Sequence, residues 1–315
     1  MKLVDSITLC EVGPRDGLQN EKTLLTAEQK IQAINALSEA GFPVIEVGSF
    51  VSPKAVPQMA NTDEVFHGIT RKPGVEYRAL IANARGVDRA IACGCTKVKL
   101  NVSASTAHNL ANLNCTPAES VAKFGESVQK AADAGIGISG SISMAFGSPW
   151  DREIPLDDVK RIVDAYLAVG IDEISLSDAS GMAFPTQVYD ICTEMGKAYP
   201  QVRWWLHFHN TRGLGMANIL AGMEAGFTRF DSAFAGVGGC PFVPGAAGNV
   251  ATEDVLHMCD EMGVATGVDL DKAMEVSRSI VSVIGHNTDS YLLRAGKSKD
   301  LIRELPTGQT RYPKK

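Results

Sequence analysis

The sequence predicts an α/β protein: a closed (β/α)8 TIM barrel with a short C-terminal helical extension. Eight short β-like runs alternate with helix-length segments along the 315 residues, which is the order expected of a parallel barrel. A doubly wound sheet would instead carry a glycine-rich phosphate turn after its first strand. Residues 13–17 stand at that place, read Gly-Pro-Arg-Asp-Gly and do not form such a turn.

The predicted strands are short and evenly spread along the chain. They are Ile7–Val12, Val44–Phe50, Tyr77–Ala82, Lys97–Val102, Gly137–Met144, Glu173–Asp178, Arg203–His209 and Arg229–Phe234. Because the parallel strands of a barrel all end at one rim, we expect the side chains at their C-terminal ends to meet at that mouth.

Helix-length segments lie between the strands. Examples are Thr26–Ala40, Pro117–Ala134, Leu156–Val169, Pro185–Ala198 and Leu214–Ala225. Four of these segments are followed directly by a glycine, namely Gly41, Gly135, Gly170 and Gly226. Each glycine suits the left-handed position that ends a helix and turns the chain into the next strand. The last barrel helix is expected to begin at Thr252–Asp254, where acidic residues suit the helix dipole.

The barrel is predicted to be one catalytic domain spanning residues 1–267. Residues 268–315 begin with a helical pattern at Leu270–Ile284. We expect them to form a helical extension packed on the barrel, with a polar, frayed end.

Composition and charge exclude several classes of function. The net charge of −6 predicts no general attraction to nucleic acid or to an anionic membrane. The sequence has no apolar run near the ~20 residues of a membrane span, and no leader is expected at Met1–Ser6. Its 7 cysteines are odd in number and scattered, which predicts reduced thiols in a cytoplasmic protein.

His207 and His209 are the strongest local signal, because they stand one residue apart at the end of the seventh predicted strand. Side chains alternate between the faces of a strand, so both imidazoles point the same way. Two imidazoles at the mouth of a barrel form a ready metal-binding pair. A pair of buried, hydrogen-bonded histidines is the alternative, and the position at a strand end favours the metal.

Charged residues at other strand ends are the candidates for the rest of the site. Asp16 directly follows strand one, although a turn residue that accepts backbone N–H bonds would look the same. The guanidinium of Arg15 suits an oxyanion or a carboxylate. Glu46 lies in an apolar run and needs a buried partner, for which Arg15 is the candidate. Asp178 ends strand six, again at the mouth.

A loop rich in glycine, proline and alanine follows strand eight, at residues 236–249. Loops of this length in compact domains are commonly lids or binding loops. Cys240 is the only thiol in this loop, and Asn249 is its only amide. A flexible loop with an incidental cysteine is the alternative interpretation, and the loop's place at the mouth favours a functional one.

Three segments resemble the 3-hydroxy-3-methylglutaryl-coenzyme A lyase family, which belongs to the barrel metallolyases named for an Asp-Arg-Glu constellation. They are Glu11–Glu21, Phe50–Lys54 with Val56–Met59, and Gly238–Pro241 continued by Gly248–Asp254. The resemblance covers Ile7 to about Val264. It implies retro-Claisen cleavage of the acyl-coenzyme A substrate to acetyl-coenzyme A and acetoacetate.

The resemblance also implies a metal. Asp16, His207, His209 and Asn249 match the family's ligands for a divalent cation, Mg²⁺ or Mn²⁺. A metal that binds the 3-oxygen and the distal carboxylate of the substrate would lower the pKa of the 3-hydroxyl and orient the molecule.

The catalytic groups follow from the same match. Arg15 corresponds to the residue that stabilises the enolate of the departing acetyl-coenzyme A. Cys240 corresponds to the loop cysteine needed for proton transfer. Glu46 and Asp178 match the remaining acidic residues, with Glu46 holding Arg15. His207 is the candidate base, assisted by Asp16 or Asp178.

Departures from the family pattern surround the expected acyl pocket. Asn210 stands where most of these lyases carry Asp, and Arg212 replaces a Tyr of the animal-type members. The alternatives are therefore a lyase for a related 3-hydroxy-3-alkylglutaryl or citramalyl thioester, a Claisen-condensing acyltransferase, and a non-catalytic coenzyme A-binding barrel. A homodimer or higher homo-oligomer is expected.

Overall fold

The structure is a computed structural model, and it describes residues 3–239, 247–286 and 288–301. Parallel strands pair in strict chain order and the last strand pairs with the first, so the sheet closes into a barrel. The strands are β1 (Thr8–Glu11), β2 (Val44–Ser49), β3 (Glu76–Leu80), β4 (Lys97–Ser103), β5 (Gly137–Ser143), β6 (Glu173–Asp178), β7 (Arg203–Phe208) and β8 (Arg229–Ser232). The predicted TIM barrel is confirmed.

Helices lie on the outside of the barrel, between the strands and after the last one. They are α1 (Ala27–Ala40), α2 (Thr62–Gly68), α3 (Ala84–Ala92), α4 (Thr106–Leu113), α5 (Pro117–Ala122), α6 (Phe124–Asp133), α7 (Leu156–Ala168), α8 (Pro185–Ala198), α9 (Gly215–Glu224), α10 (Thr252–Met262), α11 (Leu270–Ile284) and α12 (Tyr291–Ala295). One predicted helix, at residues 117–134, is wrong as a single element. It divides into α5 and α6 because the N–H of Lys123 bonds the carbonyl of Ser120 in a tighter turn.

Helix ends follow the sequence closely. Thr26 caps α1 through a capping box with Gln29, whose backbone N–H donates to the Thr26 hydroxyl. The four predicted glycine stops all have positive φ, from 67° at Gly135 to 96° at Gly41. A residue with a Cβ is strained there, so these glycines place the ends of the helices and the starts of the following strands.

The inside of the barrel is charged, whereas branched apolar side chains fill most barrels of this kind. Near its N-terminal end the buried Arg78 lies over the ring of Trp205, 4.8 Å from its centroid. Arg78 and Lys97 both pair with Glu173, at 3.2 and 2.8 Å. The apolar core lies between the strands and the helices. One example is the buried ring of Tyr166 on α7, which would lie 2.8 Å from a Cβ placed on Gly140 of β5.

The segment after the barrel packs against it. Helix α11 lies against α1 and α10, and the backbone N–H of Asp269 donates to the carbonyl of Ala40 at 2.8 Å. The domain boundary at residue 267 stays a prediction, and the predicted frayed end lies outside the described residues. No helix in the described part of the chain is both long and apolar enough to span a bilayer.

Candidate metal centre and active site

Asp16, His207 and His209 meet at the C-terminal mouth of the barrel. One ligand atom from each lies within 4.8 Å of the others, and all three residues are buried. Nε2 of His207 and Nε2 of His209 lie 3.8 and 3.6 Å from Oδ2 of Asp16. The alternation expected of a strand end is thus what brings the two imidazoles together.

A single helical turn places Asp16. Residues 13–17 wind tightly after β1, and the N–H groups of Arg15, Asp16 and Gly17 all approach the carbonyl of Val12. This winding directs two consecutive charged side chains to the interior of the mouth, which an extended chain could not do because its side chains alternate. The turn predicted from the sequence is therefore also the element that carries the site.

Arg15 joins two carboxylates. Its Nε donates to Oε1 of Glu46 at 2.5 Å and its Nη1 donates to Oδ1 of Asp16 at 2.5 Å. The predicted pairing of Arg15 with Glu46 is confirmed. Burial alone would raise the pKa of both carboxyl groups. Arg15, joined by His207 and His209 at Asp16 and by Lys99 at Glu46, outweighs this effect and holds both pKa values below their usual range. The two carboxylates therefore remain ionised at neutral pH.

Asn249 reaches the same cluster from the far end of the loop. Its Nδ2 donates to Oδ2 of Asp16 at 2.8 Å and to the carbonyl of Val237 at 3.1 Å. Its Oδ1 is buried and has no hydrogen-bond partner among the described residues. A buried amide oxygen left without a donor is costly, so this atom points to a cation or a ligand group that completes the site.

The ends of the loop after β8 pack tightly against the site. A Cβ on Gly238 would lie 2.6 Å from Nδ2 of Asn249, and a Cβ on Gly248 would lie 1.9 Å from the carbonyl oxygen of Gly236. These two glycines are therefore required, because neighbouring atoms leave no room for a Cβ at either position. Cys240, the predicted proton-transfer residue, lies outside the described residues.

Asp178 ends β6 but is not part of the ligand group. Its Oδ1 accepts from the Ser180 hydroxyl at 2.9 Å and the Met182 N–H at 3.0 Å, while Oδ2 accepts from the Ala183 N–H at 3.0 Å. Burial raises its pKa, although these bonds and His209 oppose the rise. In the structure Asp178 organises the loop after β6.

Asp231 and Lys99 are site residues that the sequence reasoning missed. Nδ1 of His207 lies 3.2 Å from Oδ2 of Asp231, and Nζ of Lys99 lies 3.3 Å from Oδ2 of Asp231 and 3.1 Å from Oε2 of Glu46. A charge in an otherwise apolar strand singled out Glu46. In β4 and β8 other polar residues stand beside Lys99 and Asp231, so the same signal did not mark these two.

The donor set fits a divalent cation. One carboxylate, two imidazoles and an unpaired amide oxygen converge in a buried site, and oxygen and imidazole donors of this kind suit hard or borderline divalent metals. Each histidine offers Nε2 towards Asp16, and the negative charge that a cation requires is supplied by Asp16. The residues present therefore match a metal-dependent enzyme.

Comparisons with known proteins agree with this geometry. A family model described as HMGL-like matches residues 6–280. The chain is 40% identical to the cytoplasmic 3-hydroxy-3-methylglutaryl-CoA lyase of Rattus norvegicus over 93% of its own length and 85% of that protein. It is 38% identical to the hydroxymethylglutaryl-CoA lyase YngG of Bacillus subtilis, over 93% of this chain and 98% of that one.

A solved structure gives the same result in three dimensions. An HMG-CoA lyase from Acinetobacter baumannii, in complex with coenzyme A and 3-methylmalate, is 44% identical and superposes with a TM-score of 0.91. The match covers 97% of this chain and all of that one. By its sequence, its closed barrel and the residues gathered at its mouth, the chain belongs to the HMGL-like family.

Proposed function

We propose that the protein is a metal-dependent carbon–carbon lyase that cleaves 3-hydroxy-3-methylglutaryl-CoA to acetyl-CoA and acetoacetate. The observation that carries the proposal is the buried group of Asp16, His207 and His209 with Arg15 beside it. Relatives that match almost the whole chain at about 40% identity are lyases for this thioester. The enzyme from Acinetobacter baumannii binds coenzyme A together with a small dicarboxylate.

The metal would be held by Asp16, His207, His209 and Asn249. We propose Mg²⁺ or Mn²⁺, because two of the four donors are oxygens and the site is buried. A bound divalent cation supplies positive charge that orients the substrate oxygens and makes the 3-hydroxyl more acidic.

Arg15 is proposed to stabilise the charge that develops as the C2–C3 bond breaks. The electron pair of that bond becomes the enolate of the acetyl thioester, and C3 becomes the ketone of acetoacetate. Two carboxylates hold the guanidinium, with contacts of 2.5 Å to Glu46 and to Asp16. The group is therefore oriented before the reaction and needs no reorganisation during it.

His207 bears two predicted roles, ligand and base, and both require the same atom. Its Nδ1 faces Asp231, which leaves Nε2 on the side of Asp16. The single lone pair of Nε2 cannot hold a cation and accept a proton at once, so we assign it to the metal. We assign the 3-hydroxyl proton to Asp16, because a carboxylate has further lone pairs beside the one that holds the metal. Asp16 is a weak base beside Arg15, so the transfer depends on an acidified hydroxyl. Asp178, with its carboxylate oxygens bonded to the loop, is proposed as a positioning residue.

Cys240 is proposed to deliver the proton to the enolate carbon. It stands in the loop whose two ends, at Gly238 and Asn249, pack against the site. Closure of that loop over the substrate would exclude water and bring the thiol to the carbon that must be protonated.

The two departures from the family pattern turn out to contact backbone. Oδ1 of Asn210 accepts from the N–H of Gly215 at 3.1 Å. Nη1 of Arg212 donates to the carbonyls of Ser180 and Gly181 at 3.1 and 3.0 Å. Both side chains therefore bond to backbone in neighbouring loops, and the methylglutaryl thioester, which the related lyases are named for, is the proposed substrate. The cytoplasmic location and the homo-oligomer stay predictions.

Metal removal tests the proposal. Dialysis against a chelator is expected to abolish acetoacetate release from 3-hydroxy-3-methylglutaryl-CoA, and added Mg²⁺ or Mn²⁺ is expected to restore it. A panel that includes the citramalyl thioester and longer 3-alkyl analogues serves as the comparison. Full activity in excess chelator would contradict the proposed metal dependence. A higher kcat/KM for another acyl group would contradict the proposed substrate.

A further inference from the structure

A continuous path of ionic contacts runs beneath the site, from Arg15 to His207. Arg15 contacts Glu46 at 2.5 Å, Glu46 contacts Lys99 at 3.1 Å, and Lys99 contacts Asp231 at 3.3 Å. Asp231 in turn contacts Nδ1 of His207 at 3.2 Å. The path joins the proposed enolate-stabilising group to one of the proposed metal ligands.

Lys99 is the link between the two halves of this path. Its side chain is 5% exposed and its one ammonium group lies between two fully buried carboxylates. Among the described residues, no other lysine or arginine lies within salt-bridge distance of Asp231. Burial alone would lower the pKa of Lys99, but Asp231 and Glu46 raise it well above its usual value, so the ammonium stays charged.

Asp231 sets the tautomer and the orientation of the His207 imidazole. A carboxylate at Nδ1 requires the ring proton on that atom, which leaves the lone pair of Nε2 free. Nε2 faces Oδ2 of Asp16 at 3.8 Å. The carboxylate therefore sets both the tautomer and the direction of the imidazole that would hold the metal.

We propose that Lys99 and Asp231 form a positioning pair that orients His207 towards the metal and couples its position to that of Arg15. Neither side chain is in the group of ligand atoms, and both act through the residues that they hold. The inference rests on the proposed metal site. It assigns Lys99 of β4 a part in metal binding, whereas a lysine that only balanced buried charge would not affect the metal.

Lys97 supplies a matched control. It lies two residues before Lys99 on β4, faces the same interior and is 12% exposed at its side chain. Its ammonium also bridges two carboxylates, Glu76 at 2.7 Å and Glu173 at 2.8 Å. Those groups belong to the opposite end of the barrel, so Lys97→Met removes the same kind of interior ion pair away from the site.

The test is the binding of Mn²⁺ to metal-free enzyme. Calorimetry and the electron paramagnetic resonance signal of free Mn²⁺ both measure the Kd. Lys99→Met and Asp231→Asn are each expected to raise the Kd for Mn²⁺ by about 10- to 100-fold, the usual effect of losing a group that orients a metal ligand. Lys97→Met is expected to leave the Kd within about twofold while lowering the melting temperature. The spectrum of bound Mn²⁺ should also change in the first two variants.

A double variant separates an effect on metal binding from a failure to fold. Lys99→Met combined with Asp231→Asn removes both charges together, which leaves no new unpaired ion in the interior because Glu46 keeps Arg15. It is expected to fold and still to bind Mn²⁺ at least tenfold more weakly than the unmodified enzyme.

Two outcomes would contradict the inference in different ways. If the unmodified enzyme binds Mn²⁺ and the folded double variant binds it equally well, Lys99 and Asp231 are structural only and the lyase proposal stands. If the unmodified enzyme itself binds no divalent cation, the proposed metal site fails and the positioning pair fails with it.

Discussion

Arg15 organises the charges at the mouth of the barrel. Its guanidinium lies between Glu46 and Asp16, and Asn249 reaches Asp16 from the other side. Removing the guanidinium of Arg15 would leave the buried carboxylates of Glu46 and Asp16 without the positive charge between them. One residue therefore makes the Asp16 carboxylate tolerable in a buried site, and the same residue is proposed to present a positive charge to the reacting thioester.

Substitution of Arg15 tests this double role. Arg15→Gln is expected to lower kcat by about 10²- to 10³-fold, because losing one preorganised donor costs ~3–4 kcal/mol of transition-state stabilisation. Arg15→Lys is expected to recover only a part of this loss, since a lysine ammonium lacks the rigid, planar donor fork with which the guanidinium holds Glu46 and Asp16. Steady-state kinetics with 3-hydroxy-3-methylglutaryl-CoA measure both effects.

Arg89→Gln is the control for this measurement. Arg89 pairs with Asp63 on the outside of the barrel and its side chain is 30% exposed, so kcat should stay within about twofold of the unmodified value. Turnover of Arg15→Gln equal to that of the control would exclude Arg15 from the chemistry.

Among the secondary-structure elements, the glycine stops join the ends of helices to the starts of the following strands. Gly41 ends α1 with φ of 96°, and a Cβ there would lie 2.8 Å from the carbonyl oxygen of Gly267. Gly170 ends α7 with φ of 89° and has open space around it. Both glycines meet the same conformational requirement, but only Gly41 also lies against the segment that leads into α11.

Paired alanine substitutions separate these two contributions. Gly170→Ala is expected to lower the free energy of unfolding by ~1 kcal/mol, the cost of a left-handed residue with a Cβ. Gly41→Ala is expected to lower it by a further ~1–3 kcal/mol, because a backbone oxygen cannot move aside for the methyl group. Urea unfolding monitored by circular dichroism gives both values, and equal losses would show that Gly41 has no packing role.

Across the whole molecule, some buried carboxyl groups have lowered pKa values and others have raised ones. Asp16, Glu46 and Asp231 have lowered pKa values, because neighbouring cations outweigh the burial that would raise them. Burial instead raises the pKa of Glu11 to about 8, against the hydrogen bonds from Thr252, Gly13 and Phe234. The first group therefore makes the protein lose stability in acid, whereas Glu11 makes it lose stability as the pH rises.

The sign for Glu11 follows from proton binding. Between the unfolded pKa of 4.5 and the folded pKa of about 8, the folded state holds the proton and the unfolded state does not. The free energy of unfolding contributed by Glu11 therefore falls as the pH rises through this window. Glu11→Gln stays neutral throughout and is expected to flatten the fall, as measured by urea unfolding at pH 5, 6, 7 and 8. An unchanged slope would show that Glu11 ionises normally.

Much of this barrel could be predicted, because local patterns define it. The spacing of β-like runs, the glycine stops and the pair His207 and His209 depend on neighbours within a few residues. The break between α5 and α6 was missed, since nothing in the run Pro117–Ala134 except one tightened turn at Lys123 interrupts the helical pattern.

The site was predicted in part for the same reason. A residue at the end of a strand must lie at the mouth, so Asp16, His207 and Asp178 could all be assigned there. Whether a side chain turns inward is a separate question. Asp178 bonds the loop after its own strand, while Asp231 lies beneath His207 and completes the path from Arg15.

The order of strands, the ends of helices and the chemical types at the mouth follow from the linear sequence, because backbone geometry and side-chain alternation act locally. Which charged side chains pair with one another does not follow from the linear sequence. Lys99 on β4 meets Asp231 on β8 and Glu46 on β2 only because closure of the barrel brings these strands around one interior. In that dry space each ion must find a counter-ion, and which one it finds is a property of the folded barrel.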